Sequence, residues 1–227
     1  MKKHYFSRFE RTLWSVSVFA VVLSFVLFDR MHYLTLAASL IGVTSLILNA
    51  KGNPLGQLLM VVFSLLYGMI SFGFAYYGEM ITYLGMTMPM AVVALVAWLR
   101  HPYRGNRAEV EVGKLCKAET AVMWILSAVV TLFFYFVLAF FATANLLPST
   151  VSVTTSFLAV YLTFRRSPYF ALAYAANDII LIVLWALASV SDARYLSVVV
   201  CFAAFLVCDL YGFVSWRRMR QRQVGAE

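Results

Sequence analysis

With 227 residues, 63% of them hydrophobic and only 12% charged, the chain holds about half the charge of a soluble domain, and its mean hydropathy of +0.84 marks an integral membrane protein. The net charge of +8 does not point to nucleic acid, because the basic residues cluster between apolar runs, as membrane topology requires, and form no phosphate-binding face. Cys116, Cys201 and Cys208 are scattered without a CxxC spacing, which excludes a disulfide framework and reads them as apolar fillers.

The chain opens on MKKHYFSRFERTLW, a basic stretch ahead of an apolar run. That run ends in FDRMHY with no small-x-small cleavage site, so it is expected to be an uncleaved first span and not a signal peptide. Seven more runs follow, each about the 20 residues that a hydrocarbon core demands. The eight lie near 12–28, 32–49, 55–76, 78–99, 120–143, 148–164, 169–188 and 194–216, and the junction at Tyr77-Gly78 is the tightest. No linker or extramembrane domain is expected.

Charge sets the count and the orientation. With the N-terminus inside, Lys2, Lys3, Arg8, Arg11, Lys51, Arg100, Arg104, Arg107, Lys114, Lys117, Arg165, Arg166, Arg217, Arg218, Arg220 and Arg222 all fall on the cytoplasmic side, leaving only Arg30 and Arg194 outside. A seven-span chain would put one basic cluster on the wrong side. Eight spans with both termini cytoplasmic, in the cell (plasma) membrane, is therefore the expected topology.

A repeat runs through the same map. Spans two to four carry LILNAKGNPLGQ, a polar-faced helix and a helix ending WLR at 98–100; spans six to eight carry YLTFRRSPYF, a polar-faced helix and a helix ending SWRR at 215–218. The fifth span turns the chain back, so both triplets start on the same side. Parallel repeats joined by one inverting helix are a transporter construction. The expected fold is all-α with eight transmembrane helices: an extra N-terminal span (1–31), a first three-helix repeat (32–99), a cytoplasmic loop and linker helix (100–146), a second repeat (147–218) and a basic tail (219–227).

Asp178 and Asp209 are read as the only acids outside loops and termini. Asp178 stands twelve residues beyond Arg166, roughly 18 Å along a helix, near mid-membrane. An ionised Asp there costs about 2.5–3.5 kcal/mol even on lenient insertion scales, so a cavity-facing role is the default reading. Phe170, Tyr174, Asn177, Asp178, Leu181 and Trp185 fall within an arc of about 100°. Such a stripe can stack a flat heterocycle and hydrogen-bond its edges, although Asn and Asp can instead join helices. In the third span Gln57, Met60, Ser64, Tyr67, Gly68 and Ser71 share a second arc of the same width. In the fourth, MTMPM at 86–90 sets a proline inside the helix, with Thr82, Met86 and Pro89 on one side of the expected kink. Asp209, with Phe202, Phe205 and Trp216 on its side, is a second substrate group, a gate or a helix-pairing acid. His4, His32 and His101 have no metal-ligand spacing, and no metal or cofactor is expected.

KGNPLGQ, LLYG, YYGEM and MPM (51–90), then YLTF-RR, ND and W (161–185) and YGFVSWRR (211–218) together resemble the PnuC family of nicotinamide riboside transporters over nearly the whole chain. The resemblance implies a three-plus-one-plus-three core similar to SWEET sugar transporters, preceded here by one extra span. It implies uptake of a vitamin-type nucleoside by facilitated diffusion across the cell inner membrane, for NAD biosynthesis, with a cytoplasmic nucleoside kinase trapping the product. A homo-oligomer is compatible with it, and nucleic acid is not a partner. Carried over by position, substrate contacts come from Gln57, Ser64 and Tyr67 in one repeat and from Asn177, Asp178 and Trp185 in the other. Met86, Phe170, Tyr174 and Asp209 complete the expected set. One departure stands out: many family members carry a Trp-x-x-Trp pair at the start of the seventh span, where this chain reads YFALAYAAND. Relatives are also implied to carry thiamine or riboflavin; nicotinamide riboside and thiamine are both cationic, which suits Asp178 beside aromatic rings.

An enzyme would need a catalytic constellation. HExxH, GxSxG and a paired-Asp metal box are all missing from the sequence, and the two separated aspartates lack the Gly-rich motif of an aspartyl protease dyad. A receptor or regulatory scaffold is less easily excluded and stays open as an alternative, although no cytoplasmic output domain is expected.

Overall fold

The protein is described by a computed structural model covering residues 5–73, 77–143 and 145–225. Lys2, Lys3 and His4 of the basic N-terminus, 74–76 at the end of the third run, and 226–227 lie outside the described residues. Nine α-helices follow one another among those described: α1 (Arg8–Phe28), α2 (Tyr33–Ala50), α3 (Pro54–Gly73), α4 (Tyr77–Thr82), α5 (Met88–Arg100), α6 (Lys117–Phe140), α7 (Leu146–Phe164), α8 (Phe170–Ser189) and α9 (Leu196–Val224). A π-helical turn, Tyr83–Thr87, joins α4 to α5 as one interrupted span. Eight helical segments are thus long and apolar enough to cross a membrane.

The boundaries follow from end chemistry. Ser7 and Glu10 form a reciprocal capping box at α1, satisfying amides that the helix itself leaves open. Cys116 and Glu119 do the same at α6. Cys116 is therefore an exposed helix cap and not the apolar filler expected of it. The last helix runs on to Val224, beyond the apolar run, and its added turns carry Arg217, Arg218, Arg220 and Arg222. A small hairpin, β1 (Pro102–Tyr103) with β2 (Asn106–Val110), folds the loop after α5 and, among the described residues, is the one departure from an all-α chain.

The fourth span bends differently from the expected proline kink. Its π-helical turn adds one residue to the helical count, and Pro89 falls in the first turn of α5, where its missing N–H costs nothing. That extra residue rotates Pro89 outward while Thr82 and Met86 stay buried. The three do not share a side.

Helices α2, α3 and α5 pack in series, as do α7, α8 and α9; across the two sets α2 touches α9 and α5 touches α7. Helix α1 lies on α2 and α9, and α6 lies against α7. The outward sides of α1 and α6 are apolar, as at Phe19, Trp124, Phe133 and Phe136, which suits contact with lipid. Glu10 anchors α1: buried itself, it accepts from Tyr211 at 2.8 Å and pairs with Lys51 at 3.3 Å.

The two sets also end alike. After α2, Gly52 N bonds Asn49 O and Asn53 N bonds Leu48 O; after α7, Arg166 N bonds Thr163 O and Ser167 N bonds Leu162 O. Both are left-handed helix stops, with Gly52 at φ 66° and Arg166 at φ 56°. The conformation is free for Gly and costs an arginine about 1–2 kcal/mol.

Candidate functional site

Three levels can be followed from the end that carries the basic loops. At the first, Trp98, Phe170 and Trp216 form a plug with ring centroids 4.9–6.4 Å apart. Its polar atoms are crossed between the helix sets. Trp98 Nε1, at the end of α5, donates to Thr163 O at the end of α7 over 2.9 Å. Trp216 Nε1, near the basic end of α9, donates to Asn49 O at the end of α2 over 2.7 Å. Gln57 joins this level, donating to Asn49 Oδ1 at 2.9 Å. Gly56 permits the contact, since a Cβ there would fall 2.2 Å from that same oxygen.

The second level lies about 12 Å along α8, eight residues past Phe170. The carboxyls of Asp178 and Asp209 are near neighbours, with Tyr174 beside both. Both acids are 4% exposed and share a side-chain hydrogen bond, while the Oδ2 atom of Asp178 is itself buried with no partner. Asn177 turns the other way. Its Oδ1 accepts from Ser152, Thr155 and Ser156 of α7 at 2.9–3.1 Å, so this oxygen joins helices and is not open to a ligand.

About 22 Å along α8 comes an aromatic level. Trp185 Nε1 donates to Tyr67 Oη at 2.7 Å. Tyr83 (4.4 Å), Phe202 and Phe63 (both 5.6 Å) surround the Tyr67 ring. Two glycines make this packing possible: a Cβ at Gly42 would fall 2.2 Å from Phe205, and one at Gly68 2.5 Å from Leu84. Ser64 and Ser71, on the Tyr67 face of α3, are buried with hydroxyls that have no hydrogen-bond partner.

Sequence reading missed one acid. Glu79 lies in α4, one helical turn from Tyr83, 6% exposed, with Oε2 buried and unpartnered. Its charge bears on both Tyr67 and Tyr83. Asp178 and Asp209 are therefore not the only acids within the spans, and Glu10 and Glu119 also prove helical. The signal available was position: Glu79 stands just after the Tyr77-Gly78 junction, inside the fourth apolar run.

The expected stripe on α8 thus divides among levels. Asp178 and Asp209 meet, with Tyr174 between them and the plug; Tyr67 and Trp185 meet on the third level; Ser64 shares the Tyr67 face. Phe170 and Gln57 belong to the plug. Met86 sits apart, packed with Phe134, Leu138, Val153 and Phe157 beneath α6.

Chemically, the arrangement offers acids on both sides of an aromatic layer, a suitable surface for a flat cation. Comparison with known proteins agrees. The nicotinamide riboside transporter PnuC of Neisseria mucosa is 26% identical over 219 residues, spanning 94% of this chain and 82% of that protein. A solved structure described as the crystal structure of the vitamin B3 transporter PnuC superposes with a TM-score of 0.83 at 23% identity, covering 96% of this chain and 94% of the other, and so shares its fold. The sequence profile of the nicotinamide mononucleotide transporter family matches residues 32–218. The chain is a multi-pass membrane transporter, not an enzyme, and it belongs to that family, the PnuC transporters its motifs resemble.

Proposed function

We propose that this protein carries nicotinamide riboside, or a closely similar cationic nucleoside, across the plasma membrane by facilitated diffusion, with cytoplasmic phosphorylation trapping the product. The observation that carries the reading is Asp178: a mid-membrane acid with a buried, unpartnered oxygen beside a second acid, below an aromatic layer. An intramembrane carboxylate needs a compensating partner, and a pyridinium ring supplies both the charge and the flat face. Asp178 and Asp209 hold the ring's charge, Tyr67, Tyr83 and Trp185 its face, and Glu79 attracts it from the opposite end.

The moving parts are two parallel three-helix repeats, α2–α5 and α7–α9, joined by α6. The crossed tryptophan bonds and the paired left-handed stops support this, since each repeat's last helix ties to the other's first. Rocking of one repeat on the other would open the plug toward the cytoplasm, where the basic loops and both termini lie.

The test is uptake into sealed vesicles. Labelled nicotinamide riboside should equilibrate with no ion gradient and accumulate only when the vesicles also enclose a nucleoside kinase and ATP. Accumulation driven by an imposed proton gradient alone would make Asp178 and Asp209 a coupling site and refute facilitated diffusion. Thiamine is the second reading. Phe170 is committed to the plug, so the tyrosine-rich aromatic level does not reproduce a tryptophan-pair clamp. Thiamine outcompeting nicotinamide riboside would select that reading.

A further inference from the structure

A basin opens on the basic end of the bundle, outside every level described above. One lobe encloses about 480 Å³ and is lined by Arg104, Lys114, Arg166 and Arg220, against one acid, Glu111. The nearby acids are otherwise engaged: Glu119 with Arg165, and Glu109 with Arg222 and Gln223. Lys114 and Arg220 also line two adjoining lobes. One adds Arg217; the other runs down onto Leu115, Met123 and Leu162, where α6 and α7 enter the apolar part of the bundle.

The walls are built and not merely adjacent. Gly113 N donates to Arg166 O at 3.0 Å, and a Cβ at Gly113 would fall 2.2 Å from Arg165 O. On the other side Val112 N donates to Gln223 Oε1 of α9 at 2.8 Å. The loop is thereby clamped between the α7–α8 turn and α9. Arg166 holds a left-handed backbone that its counterpart Gly52 adopts freely, and its Nη1 is buried with no hydrogen-bond partner. Burial and the neighbouring Arg165 lower its pKa, with Glu111 opposing; a guanidinium nonetheless stays charged. A strained, partly desolvated cation facing a cavity with other cations has one natural complement.

We propose that this basin binds a phosphate-bearing anion, with Arg166, Lys114 and Arg220 on the phosphate and the Leu115–Met123–Leu162 wall accepting any apolar tail. The phosphate can come from an anionic phospholipid headgroup or from a soluble monoester. The two share this chemistry and differ only in use of the apolar wall.

The experiment is the melting temperature of the full-length protein in neutral detergent, titrated with phosphatidylglycerol, phosphatidylcholine or glycerol 3-phosphate. Saturable stabilisation by phosphatidylglycerol or by glycerol 3-phosphate, with none from phosphatidylcholine, is expected. Phosphatidylglycerol alone identifies the source as a lipid, the monoester alone as a soluble anion. Arg166→Gln should raise the half-saturating concentration at least tenfold while leaving stabilisation by nicotinamide riboside unchanged. Should Arg166→Gln not fold, Lys114→Gln serves in its place with the same expectation. Equal shifts from both lipids, no shift from either anion, or a variant that titrates like the parent would overturn the site in favour of diffuse surface attraction.

Discussion

At the basic end of the bundle, Trp98 and Trp216 each donate to a helix-end carbonyl, Gln57 bonds Asn49, and three aromatic rings close over the bonds. About 10–12 Å deeper, Asp178 Oδ2 has no hydrogen-bond partner, and neither do Ser64 Oγ and Glu79 Oε2 around the aromatic level. Both regions are equally buried, so burial does not distinguish them. Satisfaction does. An unpartnered buried polar atom costs about 1–3 kcal/mol; the indoles and amide of the plug complete their bonds, whereas Asp178, Ser64, Ser71 and Glu79 each leave one atom open, as the proposed substrate site requires.

This contrast should survive mutation in a graded way. The largest effect belongs to the satisfied end. Trp216→Ala removes a fully buried ring and the bond to Asn49 O, and should lower stability by about 3–5 kcal/mol, read by thermal unfolding in detergent. A loss under 1 kcal/mol would mean that the plug is not structural. Next comes Asn177, satisfied although it lies at the second level. Asn177→Ala strips the acceptor from three hydroxyls and should cost about 1–3 kcal/mol of stability, with affinity for nicotinamide riboside nearly unchanged. Loss of affinity without loss of stability would return Asn177 to the substrate site.

Glu79→Gln should behave in the opposite sense, keeping or slightly raising stability because an unpartnered acid is removed from an apolar site. Affinity for a cationic nucleoside should fall about tenfold, or 1.4 kcal/mol. The smallest effect is expected from Tyr67→Phe, which deletes the acceptor of the Trp185 indole. Intramembrane hydrogen bonds of this kind are worth about 0.6 kcal/mol, a shift visible only in a direct comparison of melting curves.

Much of the frame was legible in sequence because lipid imposes it. Run length marks spans, and loop charge orders them, so all eight were found with boundaries within a few residues except where α9 continues past its apolar run. Helical spacing also found the buried face of α3. It did less well on α8, because an arc of 100° is wide enough to meet different neighbours at different depths: Phe170 meets the plug, Asn177 meets α7 and Asp178 meets α9 at the second level, and Trp185 meets Tyr67 at the third. The direction of a side chain around its helix is local, whereas what it meets is set by packing. The π-helical turn was equally invisible, and with it the outward rotation of Pro89. Glu79 was overlooked because it stands beside a junction where span and loop are hard to divide.

Asp178 is where the account is most exposed. Nicotinamide riboside and its reduced dihydro form have nearly the same shape but differ in ring charge, so their dissociation constants with the purified parent protein and with Asp178→Asn isolate the electrostatic contribution. The parent should prefer the cation, and Asp178→Asn should weaken the cation about tenfold, or 1.4 kcal/mol, while changing the neutral form less than twofold. Equal weakening of both, or no change in either, would contradict a substrate role for the buried carboxyl and leave Asp178 as a helix-pairing acid.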